Sequence, residues 1–198
     1  VQFYDQGAIA TLDDLIAEFE ADGSLDDFLP GTIDRMRYDD HYVAMPWAID
    51  IRIPYYRKDI FEEAGVEVPT TWEEFAAAAE ALTTGDRYGF VSAGAENMGS
   101  HNFYVFLLNN GGALFTEDGA PNLMDERNLE AAQFFSDLVT AGSVHPASVG
   151  YVADDALKAF SQGTAAMIIN NPGMWERFPE ISDQIGILPP LTAQIGRA

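Results

Sequence analysis

The sequence predicts an α/β layered fold with a largely parallel sheet. Three observations predict it: short apolar runs typical of buried strands, helical segments whose apolar residues recur at spacings of three and four, and the alternation of the two along the chain. Alternating strands and helices are commonly built into a sheet that carries helices on its faces.

The first part of the chain predicts two helical pieces. Residues 11–23 predict a short helix, with Thr11 as its N-cap and Gly23 as its stop. Residues 26–37 predict a second helical piece, which is broken by a proline and a glycine in its middle.

An extended segment is predicted next, at residues 42–56. Side chains alternate between the two faces of a strand. One face here is apolar and includes Trp47, which this pattern directs toward packing, whereas the other carries Asp50 and Arg52. An acid and a base two residues apart are unusual in a strand that packs against a core.

The rest of the chain predicts helices that alternate with strands. Helices are expected at residues 57–65, 70–85, 103–112, 125–142 and 153–163, and strands at residues 87–93, 164–170 and 183–191. Thr71 and Glu74 have the spacing of a capping box. The inward stripes are expected at Phe75, Ala78, Ala79 and Leu82 in one helix, and at Leu129, Ala132, Phe135, Leu138 and Val139 in another.

Composition narrows the function. The 198 residues include 32 acids and 10 bases, for a net charge of −22, which argues against nucleic acid and anionic membranes as partners. The dispersed acids indicate a solvated surface, typical either of a saline habitat or of a secreted protein from a bacterium with acidic proteins. The absence of cysteine excludes disulfides and thiolate sites.

The sequence contains no catalytic, metal or cofactor motif that we recognise. His41, His101 and His145 lack the spacing of a metal site, and neither a nucleophile elbow nor a glycine-rich phosphate loop is present. Neighbouring acids point apart in helices and strands, so they do not form a glycosidase pair. We therefore expect no enzyme activity, no metal and no cofactor.

Polar and aromatic residues in three places form the predicted binding site. In open α/β sheets, ligands gather at the carboxyl ends of strands. Flat aromatic faces together with directional hydrogen-bonding groups suit a polyhydroxylated ligand. The candidate residues are Trp47, Asp50 and Arg52 in the extended segment, His101, Asn102 and Tyr104 at a strand-to-helix connection, and Asn171 and Trp175 after the buried strand.

Purely structural roles remain open for several of these residues. Asp50 and Arg52 can form an ion pair with each other on a half-exposed strand, and Trp47 can belong to the core. His101 can cap the start of a helix, and Trp175 can pack beneath the last helix.

The order of these segments resembles that of the bacterial extracellular solute-binding proteins of ABC importers, in particular the sugar-binding, maltose-binding-protein-like group. "YVAMPWAIDIRIPYYRKDIFEEAG" resembles the family's hinge strand and its Tyr-Asn-Lys-Asp helix, with Arg57 in place of asparagine. "VPTTWEEFAAAAEALT", "YGF", "NNGGALF", "AFSQGTAAMIINNPG" and "IGILPPL" then follow in the family's order. The similarity runs from about Leu12 to the end of the chain.

The resemblance implies a two-lobed α/β fold of the type II periplasmic-binding-protein class, of which this chain would be a fragment of roughly half. Residues 1–45 would be a partial N-terminal lobe, residues 46–54 a hinge crossing strand, residues 55–186 the C-terminal lobe and residues 187–198 the second crossing with the start of the return.

The resemblance also implies residue roles. Asp50 aligns with a sugar-binding acid of the hinge strand, and His101 with an aromatic position that contacts sugar. Gly173 stands where the family often has a stacking tryptophan, so Trp175 is the nearest substitute.

The function implied is the binding of a sugar or polyol for import, with ABC permease subunits as partners. The protein would be a monomer in the periplasm or outside the cell, with or without a lipid anchor. Two alternatives stay open: a binding protein for a polyamine or a glycerophosphodiester, and a glycoside hydrolase that uses Asp50.

Overall fold

A computed structural model describes residues 2–48, 50–96 and 98–193 of the chain. The chain divides after Asp50 into two compact units, Val1–Asp50 and Ile51–Ala198. This division falls inside residues 46–54, the segment predicted to cross between lobes. The assignment of residues 1–45, 55–186 and 187–198 to lobes stays a prediction.

The first unit is small and mostly irregular. Its helices are α1 (Gln2–Asp5) and α2 (Asp13–Asp22), and its strands are β1 (Arg37–Tyr38) and β2 (His41–Tyr42). The two strands form a hairpin whose turn residues, Asp39 and Asp40, have φ values of 51° and 63°. Left-handed backbone at both turn positions matches the twist of a two-residue hairpin.

Helix α2 begins one residue later than the predicted N-cap requires. Thr11 is not its N-cap: Leu12 occupies that position, and it makes no side-chain cap. The carboxylate of Asp13 in the first turn accepts a hydrogen bond from the backbone N–H of Tyr42, at 2.8 Å, and lies 2.7 Å from the ring of His41. These contacts connect α2 to the hairpin. Gly23 ends the helix in the left-handed conformation, as predicted.

The second unit contains a four-stranded sheet in the order β4-β5-β3-β6. Its elements in chain order are β3 (Ile53–Arg57), α3 (Lys58–Ala64), α4 (Trp72–Ala81), β4 (Tyr88–Val91), α5 (Met98–Asn109), α6 (Glu126–Thr140), α7 (Ala153–Ser161), β5 (Ala165–Asn170) and β6 (Ile185–Ile187). Short 3-10 turns occupy Pro146–Gly150, Met174–Arg177 and Ser182–Gln184.

The prediction of a largely parallel sheet is wrong. Strands β4 and β5 pair in parallel, but β3 pairs antiparallel with both β5 and β6. Strand β3 arrives from the first unit rather than from a helical crossover within this unit, so nothing obliges it to run with its neighbours. Apolar patterning specifies which residues form strands but not their direction.

Two layers of buried apolar side chains flank this sheet. Adjacent strand residues such as Phe90 and Val91 belong to different layers, as expected when alternate side chains point to opposite faces. Helices α4, α5 and α6 contribute to one layer and α7 to the other. All six residues of β5 are buried, which confirms the prediction of a buried strand.

Helix α4 confirms its sequence pattern. Thr71 and Glu74 form the predicted capping box, and Phe75, Ala78, Ala79 and Leu82 are all buried. Helix α6 differs: Asn128, Ala131 and Leu138 face inward, whereas Leu129 and Val139 are exposed. The buried amide of Asn128 donates to the carbonyls of Ala113 and Asn122, at 2.9 and 2.6 Å. A polar residue thus occupies an inward position of α6, and the apolar stripe is rotated from the predicted one.

The predicted long extended segment contains little regular strand. Within residues 42–56, residues 43–48 and 50–52 have no assigned strand, and β3 begins only at Ile53. Trp47 is 98% exposed, so its interpretation as a packing residue is wrong. Ile51 is exposed as well, and Ile49 lies outside the described residues.

None of the helices in the described ranges has the length and apolar character needed to cross a membrane.

Candidate functional site

Sheet topology brings three sequence segments together at one edge. Strand β3 pairs antiparallel with β5 in a register that places Ile53 opposite Asn170. The residue before β3, Arg52, therefore lies beside the residue that follows β5, Asn171. Strand β4 runs parallel to β5, so its carboxyl end reaches the same edge and leads toward α5. Ligand sites of α/β proteins commonly form at such an edge.

Arg52 links the other two segments directly. Its Nη1 donates a hydrogen bond to Oδ1 of Asn171, and its Nη2 lies 2.8 Å from Nδ1 of His101. These two contacts join residues 49 and 119 positions apart in the chain. The structure thus brings together one predicted site residue from each of the three segments. We call Arg52, His101 and Asn171 the Arg52 group.

His101 is the fourth residue of α5, which begins at Met98. It does not cap the helix, so that alternative is wrong; its ring contacts Arg52 instead. Tyr104 lies nearly one helical turn further on, with its ring centroid 6.4 Å from that of His101. The predicted helix at residues 103–112 starts earlier than expected and includes this part of the site.

Asn102 occupies the interior and is only 1% exposed. Its Nδ2 donates to Oγ of Ser92, at 2.9 Å, and Ser92 follows directly after β4. The backbone N–H of Ser92 in turn donates to Oγ of Ser148, at 3.1 Å. Asn102 therefore connects the start of α5 to the end of β4, beneath the surface that carries His101.

The backbone of Asn171 is held by two side chains that the sequence pattern did not single out. Tyr55, in β3, donates from its hydroxyl to the carbonyl of Asn171 at 3.0 Å, and Oδ1 of Asn170 accepts from its N–H at 2.8 Å. Burial raises the pKa of Tyr55 to about 12, so this hydroxyl stays protonated and continues to donate. The alternation of the strand placed Tyr55 on an apolar face and concealed its polar role.

Trp175 packs partly into the unit. Its ring lies edge-on to that of Tyr55, with centroids 6.0 Å apart, and it borders the core layer of α7. The half-buried ring is thus connected through Tyr55 to the residue that Arg52 contacts. The packing alternative for Trp175 agrees with this position, and a stacking role for its remaining exposed part stays a prediction.

Asp50 and Trp47 belong to the first unit. Asp50 is exposed, and Trp47 presents nearly its whole ring to solvent. Their roles as ligand contacts stay predictions from sequence.

The described residues contain no group of three or more His, Asp or Glu side chains positioned to hold a metal ion. Two surface clefts lie away from the Arg52 group. One, of about 510 Å³, is in the first unit beside α2, and the other, of about 720 Å³, lies between α4, α6 and the end of α5. Neither is lined by Arg52, His101 or Asn171.

Comparison with known proteins identifies the family. The chain matches the family described as bacterial extracellular solute-binding protein over residues 1–197. The chain belongs to this family. The resemblance stated from the sequence motifs is therefore confirmed, and the fold is that of the type II periplasmic binding proteins.

Solved structures of other solute-binding proteins are similar to this one. A sugar transporter of Arthrobacter chlorophenolicus A6, with bound laminaribiose, has a TM-score of 0.88 and 37% identity and covers 97% of this chain. An ABC transporter solute-binding protein of Agrobacterium radiobacter K84, in complex with ribitol, has a TM-score of 0.79 and 28% identity over 98% of this chain. Among sequence relatives, the mannitol-binding protein of Pseudomonas aeruginosa is 29% identical over 157 residues, or 76% of this chain.

This solute-binding protein chain is short relative to those proteins. It covers 49% of the Arthrobacter chain, 50% of the Agrobacterium chain and 36% of the mannitol-binding protein. It thus spans about half of the two structures and about a third of the sequence relative.

Proposed function

We propose that the chain belongs to the substrate-binding component of an ABC importer and binds a neutral sugar or polyol through the Arg52 group. The observation that carries the proposal is the meeting of Arg52, His101 and Asn171 at the carboxyl ends of β4 and β5. Relatives of this chain carry laminaribiose and ribitol, and another is named for mannitol.

Most of the predicted residues have a role in this proposal. His101 and Asn171 supply polar contacts to ligand oxygens, and Tyr104 or Trp175 supplies a ring face against which the C–H groups of the ligand stack. Asp50 accepts hydrogen bonds from ligand hydroxyls. Asn102 supports His101 from the interior rather than touching the ligand, since its side chain is buried against Ser92.

The charges of the Arg52 group favour a neutral ligand over the ionic alternatives. A polyamine needs several acids that converge on it, and Asp50 is the single acid among the residues proposed to contact the ligand. A glycerophosphodiester needs an arginine whose N–H groups face the phosphate. One N–H of each Nη atom of Arg52 instead donates to a neutral acceptor of the protein itself, which leaves fewer donors for a phosphate.

The proposal includes no reaction. The family and the similar structures are solute-binding proteins, and a glycosidase needs two carboxyl groups separated by roughly 5–10 Å across a ligand. Turnover of a chromogenic glycoside that is abolished in Asp50→Asn would contradict this part of the proposal.

The family supports a proposal for where the protein works and what it works with. We propose that the protein works in the periplasm or outside the cell, where it delivers its ligand to permease subunits, with or without a lipid anchor. A saline habitat stays a prediction from the net charge. The monomeric state stays a prediction from the resemblance.

Isothermal titration calorimetry with a panel of solutes tests the ligand class. The panel contains laminaribiose, maltose, ribitol, D-mannitol, spermidine and glycerophosphocholine. We expect one-to-one binding of at least one sugar or polyol and no binding of the two ionic solutes. Binding of spermidine or glycerophosphocholine alone would assign the chain to one of the alternative ligand classes.

A further inference from the structure

The hydrogen bond between Arg52 and His101 determines where the imidazole carries its proton. The arginine side chain has only N–H donors and no acceptor. Its Nη2 lies 2.8 Å from Nδ1 of His101, so Nδ1 must provide a lone pair. A neutral imidazole with a lone pair on Nδ1 carries its proton on Nε2. The contact with Arg52 therefore selects the Nε2–H tautomer of His101.

The same argument orients the amide of Asn171. Nη1 of Arg52 donates to the amide oxygen, so the NH₂ group of Asn171 is turned away from Arg52. Asn171 is exposed, which leaves this NH₂ group available for an external acceptor. Both partners of Arg52 thus accept from it with one atom and hold an N–H donor on another.

We propose that Arg52 is a positioning residue that fixes His101 and Asn171 as two hydrogen-bond donors toward the ligand. The inference rests on the proposed function, because it concerns the same binding group. It narrows the ligand to one with acceptor oxygens at this place, such as the hydroxyl, ring or glycosidic oxygens of a neutral carbohydrate. The positive charge of Arg52 also disfavours a cationic ligand there.

The surrounding bonds hold the backbone near both partners of Arg52 in place independently of Arg52. Asn171 is fixed through its backbone by Tyr55 and Asn170. The start of α5 is fixed by the buried bond from Asn102 to Ser92. Replacement of Arg52 should therefore leave the fold intact. It should allow the imidazole of His101 to rotate or change tautomer and the amide of Asn171 to rotate.

Nitrogen NMR of the histidine rings tests the proposal without any ligand. Long-range ¹H–¹⁵N correlation spectra of protein with ¹⁵N-labelled histidine distinguish the two neutral tautomers, and the His101→Gln variant assigns the His101 signals. In the wild-type protein at neutral pH we expect the Nε2–H pattern for His101. In Arg52→Met we expect a mixture of tautomers, with the signals of His41 and His145 unchanged. An Nδ1–H or charged pattern in the wild type, or an unchanged pattern in Arg52→Met, would overturn the proposal.

A pair of substitutions tests the consequence for binding, with D-mannitol and laminaribiose as probes. In His101→Gln the amide N–H reaches the place of Nε2–H, whereas in His101→Asn the amide oxygen replaces only the acceptor Nδ1. For whichever probe binds, we expect His101→Asn to weaken binding by about tenfold and His101→Gln to weaken it less. The reverse order would contradict the proposal.

The two measurements separate the two claims. A folded wild-type protein that binds no sugar or polyol of the panel counts against the proposed function. The tautomer spectrum is recorded without solute, so it decides the role of Arg52 whatever the binding result.

Discussion

Arg57 shows how one side chain connects three parts of the second unit. Its guanidinium is buried and donates five hydrogen bonds: two to the carboxylate of Asp59, two to the carbonyls of Phe160 and Ser161, and one to Gln184. The carbonyls lie at the end of α7, where helices leave such groups without partners. Arg57 stands where the similar family motif has asparagine, and here the arginine binds Asp59, the end of α7 and Gln184 together.

Replacement of Arg57 by methionine should destabilise the protein. It leaves the carboxylate of Asp59 and two carbonyls without their donor, at a cost of about 3 kcal/mol in the free energy of unfolding. Urea denaturation followed by tryptophan fluorescence measures this, because Trp72 is only 5% exposed in the same unit.

Arg87→Met provides the matched control for Arg57. Arg87 forms an ion pair with Glu63 at 3.3 Å on the surface, where the acid is largely exposed. We expect its loss to change the free energy of unfolding by no more than about 1 kcal/mol. Equal effects of the two substitutions would show that burial of the Arg57 bonds is unimportant.

Asp125 gives the second unit a pH dependence in acid. It caps α6, and its carboxylate accepts hydrogen bonds from the side chain and the backbone N–H of Arg127, at 2.9 to 3.0 Å. These bonds lower its pKa from 3.8 to about 2. Because the folded state holds the charged form, the contribution to stability is present above about pH 4 and is lost between about pH 4 and pH 2.

The Asp125→Asn substitution should flatten this dependence. Asparagine still caps the helix but does not titrate, so the melting temperature should fall less steeply between pH 4 and pH 2 than in the wild type. Arg127→Gln removes the partner and should flatten the slope as well. Thermal unfolding at a series of pH values measures both, and an unchanged slope in both variants would contradict the assigned cause.

At the residue scale, the sequence predicted which kinds of side chain form the candidate site better than it predicted which of them touch. Arg52 was predicted because it and an acid stand inside an extended segment, and His101 and Asn171 because they stand near the ends of predicted strands. Their meeting depends on strand pairing. Tyr55 could not be predicted, since a tyrosine in an alternating strand has the same pattern whether its hydroxyl donates or not. Asn102 is a polar residue next to His101 and was therefore predicted to contact the ligand, but its position on α5 turns its side chain into the interior.

At the scale of elements, Gly89 controls the contact between β4 and α4. A Cβ atom placed there would lie 2.1 Å from the carbonyl oxygen of Ala79 and 2.3 Å from its Cα. These are backbone atoms of a helix, so they cannot rotate away as a flexible side chain would. A glycine inside a strand often marks such a close approach, and Gly89 is the glycine of the "YGF" motif in β4.

Gly89→Ala should therefore separate α4 from the sheet, at a cost of at least about 3 kcal/mol in the free energy of unfolding. Gly85→Ala is the control, because a Cβ atom at Gly85 meets nothing within 4 Å. Chemical denaturation of both variants measures the difference. A Gly89→Ala protein as stable as Gly85→Ala would contradict the close packing of β4 on α4.

Helix positions were predicted more reliably than sheet direction. Capping and apolar spacing are local, and they identified α4 and its inward face correctly. The direction of β3 depends on the connection that precedes it, and the local apolar pattern contains no information about that connection. The rotated face of α6 has a different cause, since a buried, hydrogen-bonded asparagine replaces an apolar residue in the stripe.

At the scale of the molecule, the two units differ in core size. Among the described residues of the first unit, Ile16 is the only apolar one in the buried core, and Phe3, Leu29 and Trp47 are exposed. The second unit has two extensive layers around its sheet. Local stability follows the density of buried contacts.

Hydrogen exchange of the 198-residue chain should reveal this difference. We expect the amides of α2 to open with a free energy at least about 1.4 kcal/mol lower than those of β5, which corresponds to tenfold faster exchange. Equal protection of α2 and β5 would show that the first unit is stabilised by more than its own core.

The central claim is that the chain binds a solute through the Arg52 group, and calorimetry of a matched pair of histidine variants tests it most directly. The solute is the sugar or polyol from the panel that binds the wild-type protein most tightly. His101→Ala removes a member of the group, whereas His145→Ala removes a partly buried histidine that packs between Tyr88 and Tyr151. We predict that His101→Ala weakens binding by about tenfold or more and that a folded His145→Ala binds like the wild type. Unchanged binding in His101→Ala, or the absence of binding to every sugar and polyol in the panel, would contradict the account.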